Sequence, residues 1–122
     1  MDRPVDGTTV IRASGRLDAA GGARLLRVLD AQIEMARGGH RRLDAVVVDI
    51  SAVDTIGRGG PEALAHAQYA CSRRRIEFVM GGAVDLWSLS PAARRRLGAL
   101  TWYPTVDLAV ASVGGGAADH HG

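Results

Sequence analysis

Leu43-Asp44-Ala45-Val46-Val47-Val48-Asp49-Ile50-Ser51-Ala52-Val53-Asp54-Thr55-Ile56-Gly57-Arg58-Gly59-Gly60-Pro61-Glu62-Ala63-Leu64 is the stretch from which the rest of the chain can be read. Ala45 to Ile50 is a short β-branched apolar run bounded by Asp44 and Ser51, the pattern of a strand buried on both faces. Gly59 and Gly60 then free the backbone, and Pro61 presets φ for the start of a helix. Glu62 places a carboxylate in the first turn, where the helix dipole favours it. A buried strand is therefore expected to pass through a tight turn onto a helix. Partners and ligands tend to meet a protein at such junctions, because the first amides of a helix have no acceptor within it.

Working back from this stretch, Thr8 to Ser14 reads as a strand, with Val10 and Ile11 pointing to opposite faces, and Gly15 to Asp18 as a turn. Asp18 stands where a helix N-cap belongs. From Ala19 to Arg37 the spacing is helical: Leu26, Leu29, Ile33 and Ala36 share one face, and Arg27, Asp30, Glu34 and Arg37 the other. Gly38-Gly39 closes that helix.

Working forward, Pro61 to Arg74 presents a small inner face of Ala63, Leu64, Ala67, Ala70 and Cys71. Its outer face carries Glu62, His66, Tyr69 and Arg73 at spacings of three and four. That stripe is either an ordinary solvated face or a surface for a partner, since Tyr and Arg are enriched at the centres of interfaces. Ile76 to Met80 reads as the next strand. Two strands joined by a helix of this length imply a parallel pair with a right-handed crossover, and a covered sheet. Ser90-Pro91 opens a helix to about Leu97, Leu100 to Tyr103 a short strand, and Thr105 caps a last helix over Val106 to Val113.

The 122 residues suit one domain, and no segment is long and apolar enough to cross a bilayer. The N-terminus does not read as a signal peptide. A soluble cytoplasmic protein is expected. All 15 basic residues are arginine, but 13 carboxylates are interspersed and aromatic content is 4%, which argues against a nucleic-acid surface. Phosphate-loop, nucleophile-elbow and Cys/His metal patterns are missing, and no lysine is present for Schiff-base work. No catalytic residue, metal site or cofactor is expected. Asp119-His120-His121 is too short a tract to argue for a metal. The single Cys71 reads as a small buried hydrophobe, and Asp49 and Asp54 as acceptors for backbone amides.

Asp49-Ile50-Ser51-x-Val53-Asp54-x-Ile56, a small-residue turn and Ala63-Leu64 on a helix together resemble the core signature of STAS domains, the fold shared by anti-sigma factor antagonists and the cytoplasmic tails of sulfate transporters. Ser14-Gly15-Arg16-Leu17-Asp18 is similar to that family's Gly-x-Leu-Asp after its early strand. Ala83 to Leu89, with Val84, Leu86 and Trp87, is longer than the resemblance implies for the connection after the strand Ile76 to Met80, and on that resemblance it is an insertion or an extra helical turn. The resemblance implies an α/β, STAS-like single domain over residues 1–113, with a mixed four- to five-stranded sheet and helices packed on it, followed by a flexible Gly/His tail over 114–122. It also implies a bacterial transcription regulator that binds a kinase-like anti-sigma factor or another protein.

One departure lies inside the motif. Family members of the anti-sigma antagonist type usually read Asp-Ser-Ser-Gly or Asp-Ser-Thr-Gly in the turn, and a serine there is phosphorylated by the anti-sigma factor. Here Gly57 takes the place of the Asp, Arg58 that of the phosphorylated serine and Gly59 that of the next hydroxyl residue, while Gly60 is kept. Phosphorylation at that site is therefore not expected. Where a phosphate would bring negative charge, Arg58 brings a cation to a helix N-terminus, at a cost of about 0.3–1 kcal/mol when exposed. It either engages an acidic partner or an anion, or is a drifted loop residue.

The expected partner-binding residues are Asp54, Thr55, Ile56, Gly57, Arg58, Gly59 and Gly60 in the turn, with Glu62, His66, Tyr69 and Arg73 on the helix. The alternative is a divergent structural or self-associating module, possible as a homodimer, with Trp87 or Trp102 at its interface. A third reading is an anion-binding protein or enzyme that uses Arg58 and free turn amides.

Overall fold

The computed structural model describes residues 7–39, 42–83, 85 and 89–115. In chain order it contains strand β1 (Thr8–Leu17), helix α1 (Ala19–Arg37), β2 (Ala45–Ile56), α2 (Gly60–Ser72), β3 (Glu77–Gly81), α3 (Pro91–Gly98), β4 (Trp102–Tyr103) and α4 (Val106–Val110), with a π-helical turn over Ala111–Gly115. The strands form one sheet in the order β1-β2-β3-β4.

All three strand pairings are parallel, Val10 facing Val47, Val47 facing Val79, and Met80 facing Trp102. The expected mixed sheet is thus a parallel one over the described residues. The reason lies in the connections, since a helix separates each strand from the next and no two are joined by a hairpin turn.

Sequential strand order moves the chain across the sheet in one direction, so successive crossovers lay their helices on one face. Leu25, Leu29 and Ile33 of α1, Leu64, Ala67 and Cys71 of α2 and Leu97 of α3 meet Val46, Val48, Ile50, Phe78 and Met80 there in one apolar core. On the opposite face Ala109 and Val113 pack on Val10, Val47 and Val79. Val46, Val47 and Ile50 are fully buried, and each such side chain contributes about 1.5–3 kcal/mol by leaving water.

The expectation of a covered sheet holds for only one face. On the other, α4 and the π turn shield the middle, while Arg12, Ser14, Arg16 and Ser51 are exposed.

The helix ends are specified by sequence. Asp18 Oδ1 accepts from the Gly21 N–H at 3.0 Å, Ser90 Oγ from Ala93 at 3.1 Å, and Thr105 Oγ1 from Leu108 at 3.1 Å. The inner face of α1 is Leu25, Leu29 and Ile33, with Leu26 and Ala36 half-buried beside it. On the last helix Ala109 is buried and Leu108 exposed. Within the expected Ala83–Leu89 insertion, Val84, Leu86 and Trp87 lie outside the described residues, as does the tail tract Asp119-His120-His121.

Candidate functional site at the β2–α2 junction

β1 and β2 both run further than their apolar cores suggest. Beyond Arg12 the pairing continues through Ser14 with Ala52, Gly15 with Val53, Arg16 with Thr55 and Leu17 with Ile56. Two register shifts each place one extra residue on β2, the second of them Asp54. Asp54, Thr55 and Ile56 therefore belong to the strand, and the expected seven-residue turn shrinks to Gly57, Arg58 and Gly59. The sequence pattern misses this because bulges break the alternation by which a strand is recognised, and the polar Ser51, Asp54 and Thr55 imitate a turn.

The backbone of the junction is held on both sides. The Gly57 N–H donates to the Leu17 carbonyl at 2.8 Å, and the Gly60 N–H to the Gly57 carbonyl at 3.0 Å. The Arg58 carbonyl in turn accepts from the Ala19 N–H at 3.0 Å, which stitches the start of α1 to the start of α2. Gly59 has φ +91° and lies against Ala19, and a Cβ on Gly60 would stand 2.3 Å from the Leu17 carbonyl oxygen. Glycine is required at both positions.

Against this fixed backbone the Arg58 side chain is exposed, and among the described residues no carboxylate pairs with it. Asp54 and Thr55 are exposed as well, while Ile56 packs half-buried against the core. On α2 and its C-cap, Glu62, His66, Tyr69 and Arg73 are all exposed, Tyr69 with 62% of its surface free. The Arg73 guanidinium lies 5.8 Å from the centre of the Tyr69 ring, a cation–π contact that holds both side chains on one patch. Glu62 is not free. Its Oε2 is 3.5 Å from Arg96 Nε of α3.

Sequence reasoning missed the neighbours that complete this end of the molecule. Arg16 and Asp18, at the end of β1, line one groove with Thr55 and Arg58. Leu89 and Ser90 before α3 and Arg96 in its last turn line another with Arg58 and Glu62. The signal available was topological, since parallel strands deliver all their helix-starting corners to the same end of a sheet.

Two of the junction's amides, those of Gly57 and Gly60, are already taken, and Pro61 has none. Asp49 Oδ1 accepts from the Ser51 N–H at 2.9 Å, the amide-binding role expected for it. The Gly21 hydrogen bond, helped by the charge of Arg16, holds the Asp18 carboxyl below its ordinary range. Burial pushes the Cys71 thiol up to about 11, away from the thiolate form. The indole N–H of half-buried Trp102 donates to the Gly82 carbonyl at 2.8 Å, so it is satisfied within the chain. Among the described residues no group of three or more His, Cys, Asp or Glu side chains gathers.

The chain resembles the crystal structure of a sulfate transporter family protein from Wolinella succinogenes, with a TM-score of 0.67 and 23% identity over 87% of this chain and 84% of that one. It also resembles the anti-sigma factor antagonist SpoIIAA in its unphosphorylated form, with a TM-score of 0.57 and 16% identity over 93% of this chain and 96% of that one. The chain has the STAS fold. No protein-family model and no curated protein sequence matches it. The STAS fold thus accommodates a parallel sheet over the described residues and an arginine at the head of α2. No helix among the described residues is long and apolar enough to cross a membrane.

Proposed function

We propose that this chain is a non-enzymatic, protein-binding STAS domain that acts as an anti-sigma factor antagonist in the bacterial cytoplasm. It sequesters a kinase-like anti-sigma factor through the β2–α2 turn and the outer face of α2. The carrying observation is Arg58: exposed, without a carboxylate partner among the described residues, and raised on a backbone bonded to Leu17 and Ala19. A side chain presented from a rigid loop can bind without first losing much backbone freedom. The likeness to SpoIIAA over nearly the whole of both chains supports this choice of partner.

Between Gly57 and Gly60 no side chain carries a hydroxyl, so the interaction runs without a phosphorylation switch at the usual place. Incubation with purified kinase-like anti-sigma factors and ATP, followed by mass spectrometry, tests both halves of the reading. A stable complex with no phosphate in Asp54–Gly60 is expected. A phosphate on Thr55, the one hydroxyl residue of that segment, or failure to form a complex with any of them would refute the proposal.

A further inference from the structure

Three shallow grooves adjoin along the carboxyl end of the sheet. The first, between β1 and the start of α1, is lined by Arg12, Arg16 and Arg24 together with Leu25 and Val28. The second is lined by Arg16, Asp18, Thr55 and Arg58. The third, between the β2–α2 turn and α3, is lined by Arg58, Glu62, Leu89 and Arg96. Arg16 borders both the first and the second, and Arg58 both the second and the third, so they form one band.

Charge along this band is one-sided. Five arginines face two carboxylates, and both carboxylates are engaged: Asp18 caps α1 and Glu62 lies 3.5 Å from Arg96. Arg12 is 3.9 Å from Asp49, which leaves Arg16, Arg24 and Arg58 as the cations with most to gain from a partner. The whole chain carries a net charge of only +2, so the basic excess is concentrated at the end where the proposed docking turn stands.

We infer that this band receives an acidic segment of the protein partner, its carboxylates meeting Arg16, Arg24 and Arg58 and its aliphatic side chains the apolar patches at Val28 and Leu89. The inference rests on the proposed docking role of the Arg58 turn and extends it toward α1 and α3, away from the Tyr69 face. Among the described residues no aromatic side chain lines any of the grooves, and Asp18 and Glu62 interrupt the row of cations, both unfavourable to a nucleic-acid strand. A second copy of the chain docked through the same band would set arginine against arginine.

The test is a titration of isotope-labelled protein with a synthetic peptide of Glu-Glu-Leu repeats, against a Lys-Lys-Leu peptide and polyuridine RNA. Saturable binding of the acidic peptide is expected, with amide shifts at Arg16, Arg24 and Arg58 and an affinity that falls as salt rises. The Arg16→Glu/Arg24→Glu variant should bind about tenfold more weakly, and Arg37→Ala, at the far end of α1 and outside the grooves, as the parent does. Both arginines are exposed, so the double variant keeps its fold by circular dichroism; Arg16→Ala serves if it does not. No binding of the acidic peptide, tighter binding of RNA, or indifference to the arginine changes overturns the inference. An anti-sigma factor that is lost with Arg58→Glu yet retained by Arg16→Glu/Arg24→Glu defeats the band alone. Acidic peptide bound where no anti-sigma factor binds defeats the anti-sigma reading alone.

Discussion

Replacing Gly60 by alanine places a methyl group where the protein has a carbonyl oxygen. Its Cβ would lie 2.3 Å from the Leu17 oxygen, 3.2 Å from the Leu17 carbonyl carbon and 3.1 Å from Ile56 Cγ2. The first two are backbone atoms, and the Leu17 oxygen already accepts from Gly57 at 2.8 Å, so relief requires the ends of β1 and β2 to part. Overpacking of this kind costs about 1–3 kcal/mol. Against it stands a gain of about 0.4–1 kcal/mol from stiffening the unfolded chain. The expected net loss is about 1–2 kcal/mol, or a Tm lower by roughly 4–8 °C for a chain of this size.

Gly98 supplies the control. It is the last residue of α3 as Gly60 is the first of α2, but a Cβ there meets nothing within 4 Å, so Gly98→Ala should be neutral or stabilising by about 0.5 kcal/mol. Urea unfolding followed by circular dichroism measures both. Gly60→Ala as stable as the parent, or Gly98→Ala as damaging as Gly60→Ala, would refute the close approach at the junction.

Leu64 is fully buried beneath α2, and Leu64→Ala should lower stability by about 3 kcal/mol, seen as a lower urea midpoint at unchanged slope. Cys71, with its thiol raised to about 11 and no exposed surface, should resist iodoacetamide at pH 8 in the native protein and react once unfolded. Because the Asp18 carboxyl titrates below its ordinary value of 3.8 when folded, its contribution is present above that value and is lost as pH falls through the lower folded one. Asp18→Asn, which also caps a helix, should therefore change stability little at pH 7 and flatten its acid limb; an unchanged acid limb would count against the cap.

Much of this architecture is legible in the chain because its signals are local. Asp18, Ser90 and Thr105 announce three helix starts, Gly38 one helix end, and Val46 to Ile50 the central strand. The unread part is where local signals mislead. Asp54 and Thr55 look like turn residues, yet they lie on a bulged strand whose far face is left to solvent. The all-parallel pairing and the one-sided stacking of α1, α2 and α3 depend on how every connection crosses the sheet, which no single segment records. The site divides in the same way. The Tyr69–Arg73 face follows from helical spacing and Arg58 from the resemblance to the family motif, but Arg16, Arg24 and Arg96 join them only once the strand ends and helices are brought together.

Arg58 is the proposed point of contact for a protein partner. Isothermal titration of purified kinase-like anti-sigma factors into the parent chain and into Arg58→Glu tests it most directly, with Gly98→Ala as a variant that leaves the surface intact. A complex is expected with the parent and with Gly98→Ala, weakened about tenfold or more by the charge reversal at Arg58. Equal affinity for the parent and Arg58→Glu would contradict it.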